Sequence, residues 1–433
     1  MAVAKENKKY HLFLFLISPI LALIYGIRTK QKSYIRWSIF VFVVIYGSTL
    51  HPSHIGDGAD HFKTISEQDL GKSFSEFWEE LIAILTLSPQ PNTATDPYIH
   101  ILRYILGTLF DAPRALFVVV SIIFGFFYSG AIVKLMSYVN WKSNYNKFYF
   151  TFFLILFILY QTPGNMQSVR QGTAIWVVIY SIISYHQSGK IKYLFFLLLA
   201  PFIHFAYLAL IIPFLVVLFS NYRNPKIYFI IFMVSVLAAN LVNPEAVNEA
   251  VSSRSSVGET KTNAYYVNEE RAELKIEKIE SKDNRFYKEY KSIGIQYNIL
   301  TGSIIFMFLI LRTRGFEKIE NTLFSYGLAG ASFANFFSFN FAVHSRTWLM
   351  AAIFILSLFL IFLSKQNLRT IQFSFLKVKL PLFVISIAFF PYLLFLLSAN
   401  LNFTSVYVIF FPFTIWFDFD VGISIRGFIG LFI

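Results

Sequence analysis

Long apolar runs broken by short polar links dominate this chain, and the spacing of the breaks predicts a bundle of membrane-crossing helices. Segments close to the ~20 residues that span a bilayer lie at 11–27, 34–50, 115–136, 147–163, 169–186, 226–242, 295–311, 320–340, 345–364, 379–398 and 402–419. The run from 191 to 220 is too long for one upright helix and too short for two full ones. The pattern predicts an all-α, polytopic transmembrane bundle of about 11 to 13 membrane segments. It forms one integral membrane domain over residues 1–433, with two larger loops at 51–112 and 243–294. The first run, HLFLFLISPILALIYGI, is long for a signal peptide and lacks a small-residue cleavage site, so it reads as a retained helix.

Composition agrees: 56% of residues are hydrophobic and 14% charged, whereas charged residues make up about a quarter of an ordinary soluble domain. The 52 phenylalanines and 25 tyrosines suit lipid-facing helices with aromatic belts at their ends. The absence of cysteine excludes a disulfide framework and any thiolate nucleophile or metal ligand.

Charge then sets orientation, because short links rich in Lys and Arg stay in the cytoplasm. The basic links are Arg28/Lys30/Lys32/Arg36, Lys134/Lys142/Lys147, Lys190/Lys192, Arg223/Lys226, Arg312/Arg314/Lys318 and Lys365/Arg369/Lys377/Lys379. They alternate along the chain if the amino terminus lies outside, which also places the 51–112 and 243–294 loops outside. Lys5, Lys8 and Lys9 run against this assignment. No nucleic-acid partner is expected.

Against this background two polar residues stand out at membrane depth, Arg170 in NMQSVRQGTAIW and His204 in APFIHFAY. An intramembrane arginine or histidine costs a few kcal/mol and marks a functional site by default. Both flanks of the 191–220 run are basic, so it reads as a hairpin of short helices that enters and leaves on the cytoplasmic side and turns near Pro201 to His204. Broken helices are tolerated only where they line a cavity or are buried in protein, which puts His204 at the floor of an outward-facing cavity. The alternative is one long tilted helix with His204 as an interhelical hydrogen-bond partner.

Three more polar constellations fall on the same outer side. In HPSHIGDGADHF, Asp57 and Asp60 share one face if the turn is helical; a solvated loop with ordinary surface acids explains them equally well. TDPYIHILRYILGTLF carries His100 and Arg103 on the polar side of an amphipathic pattern and reads as an interfacial helix on the outer membrane surface. NFAVHSRTW opens a helix with His344 and Arg346. A helix amino terminus carries partial positive charge and an arginine fork suits phosphate oxygens, so Arg170 and Arg346 facing one cavity would hold a diphosphate. Snorkelling to the interface explains either arginine alone.

The order of these elements resembles the EpsG-like branch of bacterial polysaccharide polymerases, relatives of the Wzy O-antigen, lipopolysaccharide and capsule polymerases. The resemblance rests on GDGAD after an early helix, DPYIHIL opening an amphipathic helix, the Arg170–Gln171 pair in SVRQGTA, and PFIHFAY around His204. It covers most of residues 40–220 by motif and the remainder by hydropathy. The family's compact aspartate and tyrosine arrangement is not kept, since His61 and Phe62 follow Asp60.

The resemblance implies a glycosyltransferase at the outer face of the bacterial cytoplasmic membrane, with its site towards the periplasm or cell exterior. It would transfer a growing glycan from undecaprenyl diphosphate to a lipid-linked oligosaccharide repeat, with flippase and chain-length regulator proteins as partners. Such chemistry needs cations where charge develops on the leaving oxygens, supplied by Arg170 and Arg346 with His344, Gln171 and Arg103 beside the substrate. It also needs a base within reach of the hydroxyl, from His204 or from Asp57 and Asp60. The lipid diphosphate already activates the sugar, so no cofactor is expected, and the lack of tight ligand spacing favours a metal-free arginine mechanism. Another membrane glycosyltransferase with a lipid-phosphate sugar donor would share the acidic pair. A flippase or transporter of lipid-linked sugars would show internal repeats and paired broken helices, and the sequence has neither.

Overall fold

The computed structural model describes residues 2–50, 57–67, 71–88, 96–141, 147–220, 224–239, 242–243, 295–365, 378–409 and 423–430. Among them the chain is helical, with one isolated bridge between Ser405 and Ser424 and no named strand. The helices are α1 (Ala2–Ile17), α2 (Pro19–Arg28), α3 (Lys32–Ser48), α4 (Asp57–Glu67), α5 (Phe74–Leu85), α6 (Pro97–Arg103), α7 (Leu116–Met136), α8 (Lys147–Tyr160) and α9 (Val169–Ser188). After them come α10 (Lys192–Ile203), α11 (Tyr207–Leu210), α12 (Ile212–Phe219), α13 (Pro225–Ala238), α14 (Ile295–Arg314), α15 (Lys318–Phe336), α16 (Phe341–Lys365) and α17 (Lys379–Phe403).

Four stretches have the length and hydropathy of a full crossing: Pro113–Met136, Ile295–Arg314, Ala342–Lys365 and Lys379–Phe403. Others are shorter or carry more polar side chains. The 20-residue α9 holds Arg170, Gln171, His186 and Gln187, and it is buried from Gly172 to Ser184 against neighbouring helices. A helix enclosed by protein can keep polar groups that lipid would reject. Helix α16 is likewise almost wholly enclosed, whereas α17 shows most of its surface to the outside.

Three segments differ from the hydrophobic pattern. The run at 11–27 is two helices, because Ser18 takes an extended conformation and caps α2 while Pro19 starts it. The segment at 402–419 does not begin a crossing: α17 ends at Phe403, Thr404 is extended, and Val406–Val408 forms a tight turn held by a Val406 N–H bond to Ile423 O. Its remainder, and the 243–294 loop beyond Asn243, lie outside the described residues.

The third difference is in the 51–112 loop. Helix α6 lasts only seven residues before a π-helical turn at Tyr104–Leu109. His100 is buried, donating through Nε2 to Phe77 O at 3.1 Å with Nδ1 3.7 Å from Glu80, while Ile101 is exposed. The outward apolar stripe of the loop belongs instead to α5, whose Phe74, Trp78, Ile82 and Leu85 are all exposed and share one face by helical spacing.

The two ends of the bundle are chemically sorted. One end gathers Lys134 with Gln187, Arg36 over the Phe126 ring, Arg314 on Glu320, and Lys365 with Glu317. The other gathers Tyr46 with Thr404, Thr162 with Asn400, Ser235 with Asn335, and the first turns of α9 and α16. The chain shuttles between them. Helix α10 begins where Tyr193 meets Lys134 and Tyr180, and ends at His204 beside Asp96. From Tyr207 the chain heads back, Phe214 packing on Tyr326, until Ser220 meets Tyr228 at the start of α13.

Candidate active site

Helix α9 opens the site. Its first turn follows the tight turn Pro163–Gln167, whose Asn165 carbonyl lies so close that a Cβ on Gly172 would stand 2.2 Å from it. Real side-chain carbons do not approach that near, so the glycine after Arg170–Gln171 is what lets the turn fold onto the helix. Gly58 plays the same part for α4: a Cβ there would meet Gln167 O at 2.9 Å and the Phe117 ring at 2.8 Å.

Asp96 connects the polar motifs. It precedes Pro97 at the start of α6, where an aspartate ordinarily caps the helix, yet its side chain makes no capping bond. It turns away to accept from Arg170 Nη1 at Oδ2 (2.6 Å), from the Phe205 backbone N–H at Oδ1 (2.5 Å), and from His204 Nδ1 at the same oxygen (3.4 Å). The carboxylate is 0% exposed. Burial by itself would lift its pKa, but the His204 ring, the Arg170 guanidinium and the Phe205 N–H outweigh burial and hold it below the usual carboxylate range.

The Phe205 contact explains the broken helix. Helix α10 contains Pro201 without interruption and stops three residues later, where His204 is extended at φ −150° and ψ 114°. Three residues on, Tyr207 starts α11. The turn therefore lies at 204–206, past the proline, and Asp96 receives an N–H that the break removes from the helix.

Arg346 completes the cluster from α16. Its Nε donates to Gln171 Oε1 at 3.0 Å, and the Tyr207 hydroxyl donates to the Gln171 carbonyl at 3.5 Å. The Tyr207 ring lies 6.0 Å from the His204 ring, centroid to centroid. Among the described residues neither terminal nitrogen of Arg346 makes a hydrogen bond, so its half-buried fork is available to an anion. Arg170, by contrast, is committed to Asp96.

The other candidates sit elsewhere. His344 gives Nδ1 to Ala334 O at 2.8 Å and packs edge-on to Tyr297, which fastens the start of α16 to the end of α15. Arg103 donates to His61 Nδ1 at 3.0 Å and ties α6 to α4. Asp60 is exposed on α4; Asp57 is the first residue of that helix, and its side chain falls outside the described set. Among the described residues no group of three or more His, Asp or Glu side chains converges as a metal site. The Asp-Pro-aromatic element is legible in the sequence, but only the fold brings Asp96 to Arg170 and His204.

Fold and site together define a helical membrane protein with an arginine, a histidine and a buried carboxylate gathered at one end of its bundle. The EpsG family profile matches residues 61–407, and the chain belongs to the EpsG family. The matched span includes Asp96, Arg170, His204 and Arg346 and begins one residue after Asp60. No match was found among curated proteins or among solved structures.

Proposed function

We propose that this chain is a polysaccharide polymerase. It transfers a growing glycan from undecaprenyl diphosphate to the non-reducing end of a lipid-linked oligosaccharide repeat, at the outer face of the bacterial cytoplasmic membrane. The observation that carries the reading is the meeting of Arg170, Gln171, His204 and Arg346 at the end of the bundle opposite the one that gathers Lys134, Arg314 and Lys365. By the positive-inside rule the basic end is cytoplasmic, so the cluster faces outward, where flipped lipid-linked repeats are found. Family membership supports the same class of chemistry.

In this mechanism the open fork of Arg346 receives the diphosphate, and Arg170 adds positive potential from beside Asp96. The acceptor hydroxyl oxygen attacks C1 of the donor sugar, the C1–O bond to phosphate breaks, and its electron pair leaves on the lipid diphosphate. The hydroxyl proton passes to His204. Cations aimed at the leaving oxygens stabilise the charge that develops there, and a base within reach of the hydroxyl removes the proton as the new bond forms.

The test compares lipid-linked repeats and glycan length in a strain lacking the protein with the same strain carrying wild type or Arg346→Ala. Single repeats should accumulate without the protein and with the variant, and long chains should return with wild type. Long chains in the strain lacking the protein would refute the polymerase reading.

A further inference from the structure

We propose that Asp96 is the positioning residue of this site: its carboxylate fixes Arg170 and holds His204 with its proton on Nδ1, so that Nε2 is the nitrogen presented to the reacting hydroxyl. The inference rests on the polymerase reading only for the identity of that hydroxyl.

An ionised carboxylate accepts hydrogen bonds and donates none. Arg170 Nη1 at 2.6 Å on Oδ2 and Phe205 N–H at 2.5 Å on Oδ1 are both donors, and they favour the ionised form. His204 Nδ1, 3.4 Å from Oδ1, can then meet that oxygen only as N–H. A neutral imidazole with its proton on Nδ1 has its lone pair on Nε2. Both oxygens of Asp96 are occupied by donors of the protein, so it is not itself placed to take a substrate proton. Backbone geometry reinforces the ring contact. The same Oδ1 that meets Nδ1 also binds the N–H of the next residue, so His204 is held from its ring and from its backbone at once. The Tyr207 ring lies beside the His204 ring, and Gln171 links Tyr207 to Arg346, a cation suited to an anionic leaving group.

Asp96→Asn probes this directly. Arg170 should draw the amide oxygen to the Oδ2 position, turning the NH2 towards Phe205 N–H and His204 Nδ1. An NH2 facing Nδ1 favours the opposite tautomer, with the proton on Nε2 and no base for the hydroxyl.

The experiment uses the full-length protein in lipid nanodiscs with 15N-labelled histidine. His204 is identified in solid-state NMR spectra by the signals that His204→Gln removes. The expected result is Nδ1–H in wild type and a shift towards Nε2–H in Asp96→Asn. Turnover of lipid-linked repeats should fall roughly hundredfold or more with KM little changed. Adding Asp96→Asn to His204→Gln should cost no more than about threefold further, because the two residues act as one unit. Nε2–H in wild type, or an unchanged tautomer with multiplying rate losses, overturns the proposal. Should Asp96→Asn fail to fold, the wild-type tautomer decides. If wild type transfers no glycan, the polymerase reading fails while the NMR result still judges Asp96.

Discussion

Replacing Arg170 and replacing Arg346 should have opposite signatures, because one arginine is paired in the protein's interior and the other is open. Arg170→Ala removes the 2.6 Å ion pair from a carboxylate that is 0% exposed, taking the cation from Asp96 while the Phe205 and His204 contacts stay. Breaking a buried pair from one side costs about 3–5 kcal/mol, a large part of the roughly 5–15 kcal/mol that holds a typical domain together. Arg346→Ala gives up one hydrogen bond to Gln171 from a half-buried position, worth about 1 kcal/mol. In the transition state it should lose about 3 kcal/mol, near a hundredfold in rate. The assay is thermal unfolding of the detergent-solubilised, fluorescently tagged protein, followed by size-exclusion chromatography, beside glycan length in the same strains. Arg170→Ala should melt well below wild type and accumulate poorly; Arg346→Ala should melt within a few degrees of wild type and leave single repeats. An Arg170→Ala protein of normal stability, or an Arg346→Ala strain with normal polymer, would refute this division of roles.

Three shorter predictions follow from other parts of the molecule. Orientation can be read by cysteine labelling against a cysteine-free background: Ser75→Cys on the exposed face of α5 should react with an impermeant thiol reagent in spheroplasts, and Lys190→Cys only after lysis, with the reverse pattern inverting the topology. Gly172→Ala must push the Asn165 carbonyl from 2.2 Å to a normal contact, costing about 1–3 kcal/mol; since the displaced turn leads into Arg170, polymer length should shorten even where protein persists. Glu320 is 0% exposed and accepts Arg314 Nη2 at 2.6 Å on both oxygens, so Glu320→Ala should lower the melting temperature by taking from Arg314 its buried partner and leaving it the longer 3.8 Å pair with Glu317, and an unchanged melt would show that the Glu320 pair contributes nothing.

Period and charge made the helices and their alternation legible, since both are local properties that burial and membrane insertion act on directly. The Arg-Gln and Phe-Ile-His elements were legible as candidates, because a cation or an imidazole inside an apolar run has few structural excuses, and the fold brings Arg170 and His204 onto one carboxylate. Asp96 was not legible as a site residue, because Asp before Pro at a helix start already has a complete local explanation as a cap. Only the fold reveals that the side chain declines that role and reaches residues 74 and 108 positions further along the chain. His100 misled for a related reason: a histidine beside an arginine looks solvated, but its partners Phe77 and Glu80 come from the preceding helix, which periodicity in residues 97–109 could not show.

The break at His204 also has a consequence for assembly. A hairpin inserted alone would carry the Phe205 N–H into hydrocarbon, where an unsatisfied backbone donor costs several kcal/mol, and the group that relieves it comes from a loop 109 residues earlier. Synthesis delivers Asp96 first, so the loop is waiting when the hairpin arrives. Until the two dock, the bent form of residues 192–219 is at a disadvantage to an unbroken helix, which satisfies that donor internally. The candidate site and the bend are thus completed in one event, and a chain in which the loop is misplaced is expected to present a straight helix, without that site, to the membrane's quality-control proteases.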